Sequence, residues 1–220
     1  MALTWAETNL SIIERDILGY FLGGRCGITE EFQYSTLGIH ILTGIIAATS
    51  KMTTVDFANQ YLFEPLTIAP RKIYVAPDAE AHKAFTVGKT PKGTIWFSDE
   101  KGVGAAGYGL CLSAEEMSKI GLLCLNKGVF HNRRIVSEKW LEESTKARLC
   151  CDEKFRDMKY GYLWWIIDEN EGIYAAIGNS GNVIYINPQK KLVITVSAYF
   201  KPTVFDRIDF IKEQIEEKMS

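Results

Sequence analysis

Four short strand patterns follow one another between residues 160 and 200, rich in β-branched and aromatic residues. They are separated by Asn-Glu-Gly, Asn-Ser-Gly and Pro-Gln-Lys-Lys, which are turn sequences. Strands joined by such short connections pair with their sequence neighbours in antiparallel fashion. The pattern therefore predicts an antiparallel meander, and it constrains the fold more than any other feature of the chain. The segments read YGYLWWIID, YAAIG, NVIYIN and KLVITVSAYF.

Helical patterns stand on both sides of this meander. Residues 37–49 are apolar nearly all round, which predicts a buried helix with Ser35 or Thr36 as its N-cap. Two Ser/Thr-x-x-acid patterns predict the starts of further helices, at Thr53 and Ser113. Other predicted helices cover residues 11–24 and follow Ser137. A last helix, capped by Thr203 and Asp206, has an apolar face against the sheet at Val204, Ile208, Ile211 and Ile215.

The strands cluster instead of alternating with helices, which is typical of an α+β fold. We interpret residues 1–220 as one domain. Residues 67–109 contain many prolines and glycines, and they read as a loop-rich excursion of loops and short strands within that domain.

Composition and charge exclude several classes of protein. Apolar residues make up 47% of the chain and aromatic residues 12%, which is too many for a disordered protein. The formal net charge is −2, and no block of like charges supports nucleic-acid or membrane-surface binding. We therefore expect a small molecule as the partner, with no nucleic acid and no membrane.

Cysteine and histidine usage predicts no metal and no cofactor. The three histidines are widely separated, and the five cysteines show no Cys-x-x-Cys spacing. Cys111 and Cys124 are expected as small core side chains, whereas adjacent Cys150 and Cys151 read as exposed free thiols in a loop. This thiol pattern, together with a start that lacks a basic leader, predicts a cytoplasmic protein.

Several motifs in a fixed order carry a family resemblance. They are EFQYSTLGIHILTG, which runs on into YLFEPLTI; AAGYGLCLSAEEMSKIG; and the stretch from YGYLWW to AIGNSGNVIYINPQKKLVITVS. As a set, the chain resembles the serine β-lactamase-like hydrolases. This group includes class C β-lactamases, penicillin-binding proteins, related esterases and 6-aminohexanoate oligomer hydrolases. The resemblance covers nearly the whole chain, and it implies a β-lactamase/transpeptidase-like fold, an antiparallel sheet flanked by helices.

The resemblance also implies a mechanism. Such enzymes acylate a serine in a Ser-x-x-Lys motif at a helix start, and a tyrosine passes the proton to the leaving group. Tyr34 matches that tyrosine, and Thr36 stands where asparagine is usual. Without the flanking match, Tyr34 would read as a half-buried aromatic residue.

A third motif, Lys-Thr-Gly or His-x-Gly in relatives, matches Asn179, Ser180 and Gly181. The resemblance then assigns the N–H of Asn182 to the oxyanion hole. Asn179 replaces the usual cation, which argues against recognition of a substrate carboxylate and favours esters or amides. Turn chemistry alone would also predict these residues, as a simple hairpin turn.

The nucleophile of the family is the main departure. The chain's one Ser-x-x-Lys sequence begins at Ser98, in a polar, glycine-flanked turn with no apolar helix after it. Lys89-Thr90-Pro91 lacks the glycine of Lys-Thr-Gly. We therefore expect a chain that corresponds to the carboxy-terminal two-thirds of a family member, without the amino-terminal strands and the nucleophile helix. The missing strands would expose a sheet edge, so we expect a homodimer through that edge.

Three functions stay open at this point. In the first, the chain is a fragment of a serine hydrolase that acts on a β-lactam, ester or small amide, and the chain as given has little or no activity. Alternatively, it is a catalytically inactive binding or scaffold protein, or a half-enzyme completed in trans.

Overall fold

A computed structural model describes residues 34–87, 93–99, 102–151, 153–156, 158–179, 181–199, 201, 204 and 206–219. The helix predicted over residues 11–24, Cys26, Ser180 and Thr203 lie outside these residues. The described chain forms two compact units, the first of residues 34–64 and 69–111, the second of residues 65–68 and 112–219. The predicted single domain stays a prediction.

The first unit contains three α-helices and a small parallel strand pair among its described residues. A turn of π-helix, Asn59–Phe63, continues the second helix. The elements are α1 (Thr36–Ser50), α2 (Thr54–Ala58), β1 (Lys72–Tyr74), α3 (Ala79–Thr86) and β2 (Ile95–Phe97).

Two predictions for this unit need correction. Helix α1 is confirmed, but it is not buried on all sides, since Leu42 is 39% and Ile45 51% exposed. An apolar sequence gives the composition of a helix, whereas neighbouring elements decide which of its faces are covered. Helix α3 lies in the stretch that reads as loops and strands. Its cap is clear, because the Asp78 side chain accepts the Ala81 N–H over 2.7 Å, but Phe85 is its only fully buried apolar residue.

The second unit contains the predicted meander, which is confirmed and extended by two short strands. The six-stranded sheet has the order β10-β9-β8-β7-β6-β5, and each pair is antiparallel. Its strands are β5 (Leu149–Cys150), β6 (Lys159–Tyr160), β7 (Trp165–Asp168), β8 (Ile173–Gly178), β9 (Asn182–Asn187) and β10 (Leu192–Val196). The remaining elements are α4 (Ala114–Leu125), the hairpin of β3 (Val129–Phe130) and β4 (Arg133–Arg134), α5 (Glu138–Ser144) and α6 (Ile208–Ile211).

Side-chain alternation divides this sheet into two packed faces. On one face, Val183 and Tyr185 of β9 pack with Ile208 and Ile211 of α6. This contact confirms that the last helix covers the sheet, although α6 is short and continues as π-helix and 3₁₀ turns to Met219. The opposite face packs against α4 and α5, in a cluster of Met117, Cys124, Leu141, Ile166, Tyr174, Ile184 and Ile186.

The helix starts follow the predicted caps. Ser113 and Glu116 form the complete capping box of α4, and Ser137 accepts the Trp140 N–H at the start of α5. At α6, by contrast, the N-cap position is Arg207, which makes no side-chain cap hydrogen bond, and Asp206 accepts the Ile208 N–H over 2.8 Å from one position earlier. Among the described helices, none has the length and apolar character that crossing a membrane requires.

Candidate active site

The three hydroxyl residues at positions 34 to 36 occupy different positions at the start of α1. Ser35 is the N-cap, since its Oγ accepts the Gly38 N–H over 3.2 Å. Thr36 is the first helical residue, and Tyr34 precedes the cap. The Ser35 hydroxyl therefore has a structural partner in the first turn.

Tyr34 keeps part of its side chain in solvent, with 39% of the residue exposed. Burial of the rest raises the pKa of Tyr34 above its ordinary value. The phenol is therefore protonated at neutral pH in this chain. In that state it can donate a proton to a leaving group, whereas a base role would need a nearby cation to lower the pKa.

A glycine-rich loop over residues 104–109 packs against this helix start. A Cβ atom added at Gly107 would lie 2.4 Å from Cγ2 of Thr36. One turn further along α1, Nδ1 of His40 accepts the Ala106 N–H over 3.1 Å. The loop thus contacts Thr36 directly and is held by His40, so that both residues fix the surroundings of the tyrosine motif.

His40 belongs to a set of aromatic contacts within the first unit. Its ring meets that of Tyr108 edge to face at 5.7 Å, and Oη of Tyr108 lies 3.4 Å from Nε2 of His82. Burial lowers the pKa of His40 and of His82, and it raises the pKa of Tyr108 to about 12. Each group is therefore neutral near pH 7. The position of His40 on an apolar helix, six residues after Tyr34, predicts a core histidine with a satisfied hydrogen bond and not a base, and this geometry agrees with that prediction.

The third motif lies at the tight turn between β8 and β9 in the second unit. The Gly181 N–H donates to the Gly178 carbonyl over 3.0 Å, and Gly181 has φ +82°, a conformation that favours glycine. Asn179 is exposed, and Asn182 is the first residue of β9. The Asn182 side chain accepts the Ala198 N–H over 2.9 Å. The hairpin-turn interpretation is thus confirmed, and the oxyanion assignment stays a prediction.

Arg207 is a residue at this turn that sequence reasoning missed. A Cβ atom added at Gly181 would lie 2.5 Å from Cγ and 2.8 Å from Nε of Arg207. The arginine side chain therefore occupies the space that a larger residue at position 181 would need. No local pattern links the two positions, because they are 26 residues apart in the sequence.

The predicted site residues fall in both units. Tyr34 and Thr36 belong to the first unit, and Asn179, Gly181 and Asn182 to the second. Ser180 lies outside the described residues. The structure thus brings Tyr34 and Thr36 together at one helix start, and Asn179, Gly181 and Asn182 together at one turn.

Ser98 does not have the setting of a nucleophile. It is 1% exposed, lies in an isolated bridge opposite Gly104, and donates its hydroxyl to the Trp96 carbonyl over 3.1 Å. A nucleophilic serine needs an exposed hydroxyl beside a base. The prediction that Ser98 is not the nucleophile agrees with this geometry.

The thiols differ from one another in exposure. Cys124 is a core residue as predicted, and burial raises its pKa to about 12. The prediction for the adjacent pair is wrong in part, because Cys151 is buried and Cys150 lies in edge strand β5, exposed. Within the described ranges, no group of three His, Cys, Asp or Glu side chains is arranged to hold a metal ion.

Comparison with known proteins shows the family to which the chain belongs. Residues 26–214 match the Beta-lactamase family model. The chain is 25% identical over 175 residues to the 6-aminohexanoate-dimer hydrolase of Paenarthrobacter ureafaciens, which covers 76% of this chain and 39% of the relative.

Two solved structures share the fold. A candidate 6-aminohexanoate-dimer hydrolase from Bacillus anthracis superposes with a TM-score of 0.55 at 19% identity, over 86% of this chain and 43% of that one. A candidate beta-lactamase from Bacteroides dorei gives 0.57 at 15% identity, over 85% and 58%. The chain thus spans less than two thirds of the length of each of these proteins. The predicted β-lactamase/transpeptidase-like fold is confirmed, and the chain belongs to the Beta-lactamase family.

Proposed function

We propose that this chain carries the tyrosine and third-motif parts of a serine hydrolase that transfers acyl groups from an ester or small amide. The observation that carries the proposal is the start of α1, where Tyr34 is a protonated, partly exposed phenol beside a helix start held by the 104–109 loop. The match of 26–214 to the Beta-lactamase family supports it.

In this mechanism Tyr34 donates a proton to the leaving group when the acyl–enzyme forms. The Asn182 N–H stabilises the oxyanion at the turn after β8, where the backbone is fixed by the Gly181 to Gly178 hydrogen bond. Backbone donors held in place before the reaction cost no reorganisation in the transition state.

We also propose that the 220 residues by themselves turn over substrate slowly or not at all. Their one Ser-x-x-Lys sequence begins at Ser98, whose hydroxyl is buried and donates to a backbone carbonyl. We therefore assign the nucleophilic serine and its lysine to residues other than these 220.

Intact-mass spectrometry after incubation with a fluorophosphonate tests the first part. A chain that shows a cooperative melt is expected to keep its mass, because no serine is activated. A stoichiometric adduct would overturn this assignment, and peptide mapping of Ser98 and Ser35 would then locate the nucleophile.

The reading frame around the Met1 codon supplies the second test. A Ser-x-x-Lys helix encoded in frame is expected to give a product that reacts with the fluorophosphonate, and Tyr34→Phe is expected to slow its ester hydrolysis at least tenfold. A full product that neither contains that motif nor reacts, alone or with a second chain that carries the motif, overturns the hydrolase proposal. The result would favour a binding protein.

A further inference from the structure

Three side chains of the second unit, Trp140, Tyr162 and Arg148, form a stacked cluster at the surface, which we call the Trp140 platform. The rings of Trp140 and Tyr162 lie nearly parallel, at 16°, with their centroids 5.8 Å apart. The Arg148 guanidinium lies over the Tyr162 ring, 4.0 Å from its centroid. Trp140 is 53% and Tyr162 46% exposed. Large aromatic side chains are mostly buried in folded proteins, so two stacked rings at the surface mark a candidate binding site.

The Trp140 ring has one face open to solvent. Tyr162 stacks against the other face, so the exposed half of the residue includes the face that points away from Tyr162. A flat aromatic face in water can stack with a second flat surface of similar size. The platform therefore offers a place for one ring of a ligand.

Backbone contacts hold the two parts of the platform together. Trp140 lies in α5, and Tyr162 lies in the connection between β6 and β7. The Tyr162 N–H donates to the carbonyl of Ser144, the last residue of α5, over 2.8 Å. Gly161 permits this approach, since a Cβ atom added there would lie 2.4 Å from the same carbonyl oxygen. The rings are thus held in place before a ligand binds, which lowers the entropy cost of binding.

The charged groups beside the platform are paired with one another. Glu143 accepts from Nζ of Lys146 over 2.9 Å and from Nη2 of Arg148. These hydrogen bonds hold the pKa of Glu143 below its ordinary value, so the carboxylate is ionised at neutral pH. A cationic ligand would meet the charges of Lys146 and Arg148, and an anionic ligand would compete with Glu143 for them. A neutral ligand meets neither obstacle.

We propose that the Trp140 platform binds a neutral carbohydrate, with one pyranose ring stacked on the open face of Trp140. A pyranose whose hydroxyl groups are equatorial carries only axial C–H groups on its two faces, and such a face fits a flat aromatic ring. Its hydroxyl groups point outward, toward water and toward the guanidinium and carboxylate of Arg148 and Glu143. The platform contains no residue of the tyrosine motif or the third motif, so this inference goes beyond the proposed hydrolase function.

The openness of the platform favours a sugar over an apolar ligand. An open aromatic face covers one side of its ligand and leaves the other side in water. A wholly apolar ring would therefore keep half of its surface hydrated, which forfeits much of the hydrophobic gain. A sugar loses less, because the hydroxyl groups at its rim stay hydrogen-bonded to water or to the protein.

The test is a titration of the folded 220-residue chain with methyl β-D-glucopyranoside, followed by NMR. The chain has five tryptophans, and the indole signal that disappears in Trp140→Phe belongs to Trp140. We expect this signal to shift with a millimolar Kd, as suits one ring on an open face, while the other indole signals stay in place. No shift of the Trp140 signal at about 100 mM glycoside, which would saturate such a site, overturns the proposal.

Two substitutions at Trp140 separate stacking from general apolar contact. Trp140→Phe keeps a flat ring, and its affinity, measured by saturation transfer to the glycoside, should stay within about threefold of the wild type. Trp140→Leu keeps an apolar side chain without a flat face and should weaken binding by about tenfold or more. Phe210→Ala is the control, because it removes a ring from α6 that is 52% exposed, and it should leave the affinity unchanged.

A purely structural role of Trp140 gives a different result. It would lower the melting temperature of Trp140→Leu and leave the affinity of the folded variant for the glycoside intact, which overturns the proposal. Equal losses of affinity in Trp140→Leu and Phe210→Ala would show unspecific binding and overturn it as well.

Two further probes test the class of ligand. Cyclohexanol has an apolar ring with a single hydroxyl group, so it should bind more weakly than the glycoside, and equal or tighter binding would overturn the assignment to a sugar. D-Glucuronate that binds more than about tenfold tighter than the glycoside would show an anion site at Arg148 and overturn the assignment to a neutral ligand. None of these outcomes depends on turnover, so the hydrolase proposal stands or fails separately.

Discussion

The backbone N–H of Ala106 donates a hydrogen bond to Nδ1 of His40 over 3.1 Å. This contact joins the glycine-rich loop to the helix that begins directly after Tyr34 and Ser35. The ring nitrogen must be unprotonated to accept, and burial lowers the pKa of His40 in agreement with that role. The position of the loop therefore depends on the charge state of one histidine.

The His40 contact predicts a pH dependence of stability. A histidine whose pKa is lower in the folded state takes up protons more readily when unfolded, so stability is complete above about pH 6.5 and declines as the pH falls below it. We expect urea unfolding to give a lower free energy at pH 5.5 than at pH 7.5. His40→Asn, which keeps an acceptor near Nδ1 but does not titrate, should flatten this slope, with His82 accounting for the remainder. An unchanged slope in the variant would refute the assignment.

Gly107 is predicted to be intolerant of a methyl group. Alanine there would bring Cβ to 2.4 Å from Cγ2 of Thr36, and such overpacking costs about 1–3 kcal/mol. Thr36→Ser removes that methyl, so the double variant should recover most of the loss in chemical denaturation. Gly44→Ala is the matched control, because nothing lies within 4 Å of its Cβ position in α1. It should gain about 0.5–1 kcal/mol through helix propensity. Additive losses in the double variant would show that the contact is not the cause.

Ser35 is predicted to act as a helix cap. Ser35→Ala removes the acceptor of the Gly38 N–H and should cost about 1 kcal/mol of unfolding free energy. Ser35→Asp restores an acceptor, and its carboxylate is favourable at a helix N-terminus, so this variant should match the wild type. Stability that is indifferent to both changes would contradict the capping role.

The Glu216 carboxylate is predicted to hold its own segment against the sheet by hydrogen bonds. Its carboxylate accepts from Tyr185 Oη over 2.8 Å and from Asn187 Nδ2, and the residue is only 6% exposed. Burial acts to raise the pKa of Glu216, but these hydrogen bonds and the charge of Lys190 outweigh it and hold the pKa below its ordinary value.

The consequence is a loss of stability in acid. The contribution of Glu216 is complete above the pKa of the unfolded carboxyl and declines as the pH falls through the lower folded value. At pH 7, Glu216→Gln should cost about 2 kcal/mol, because an amide cannot accept through both of its heteroatoms. Glu213→Gln, at an exposed position of the same segment, is the control. Equal melting temperatures for the two variants would contradict this stabilising role of the Glu216 hydrogen bonds.

Strand β10 is predicted to be the dimer edge. Within the described chain it pairs with β9 alone, and an edge of unpaired backbone groups is a template for pairing with a second copy. We propose a homodimer through β10 and expect the mass in size-exclusion chromatography with light scattering to rise with concentration. Amide exchange of residues 192–196 should slow in parallel. A monomer at all concentrations, or a dimer without that protection, would rule out this edge.

Much of the local structure could be predicted from the sequence. The meander and the Ser113–Glu116 capping box depend on residues a few positions apart. For such features, hydrophobic period and turn chemistry act within the segment that folds. The third-motif turn could be predicted from the sequence for the same reason.

Helix α3 escaped prediction because its start is a single cap at Asp78 and its buried contribution is little more than Phe85. A helix without an apolar stripe has no periodic signal. Cys151 directly follows the two-residue strand β5 and is buried beside exposed Cys150, and a strand of two residues is too short to be recognised in a sequence pattern.

The sequence by itself determined the family, the order of the elements and the residues that match the family's motifs. The tertiary structure alone decided that His40 holds the loop at Ala106 and that Arg207 lies against Gly181. The physical reason is that these contacts join positions 66 and 26 residues apart. Packing of whole elements brings such pairs together, and the periodicity within either segment does not indicate these contacts.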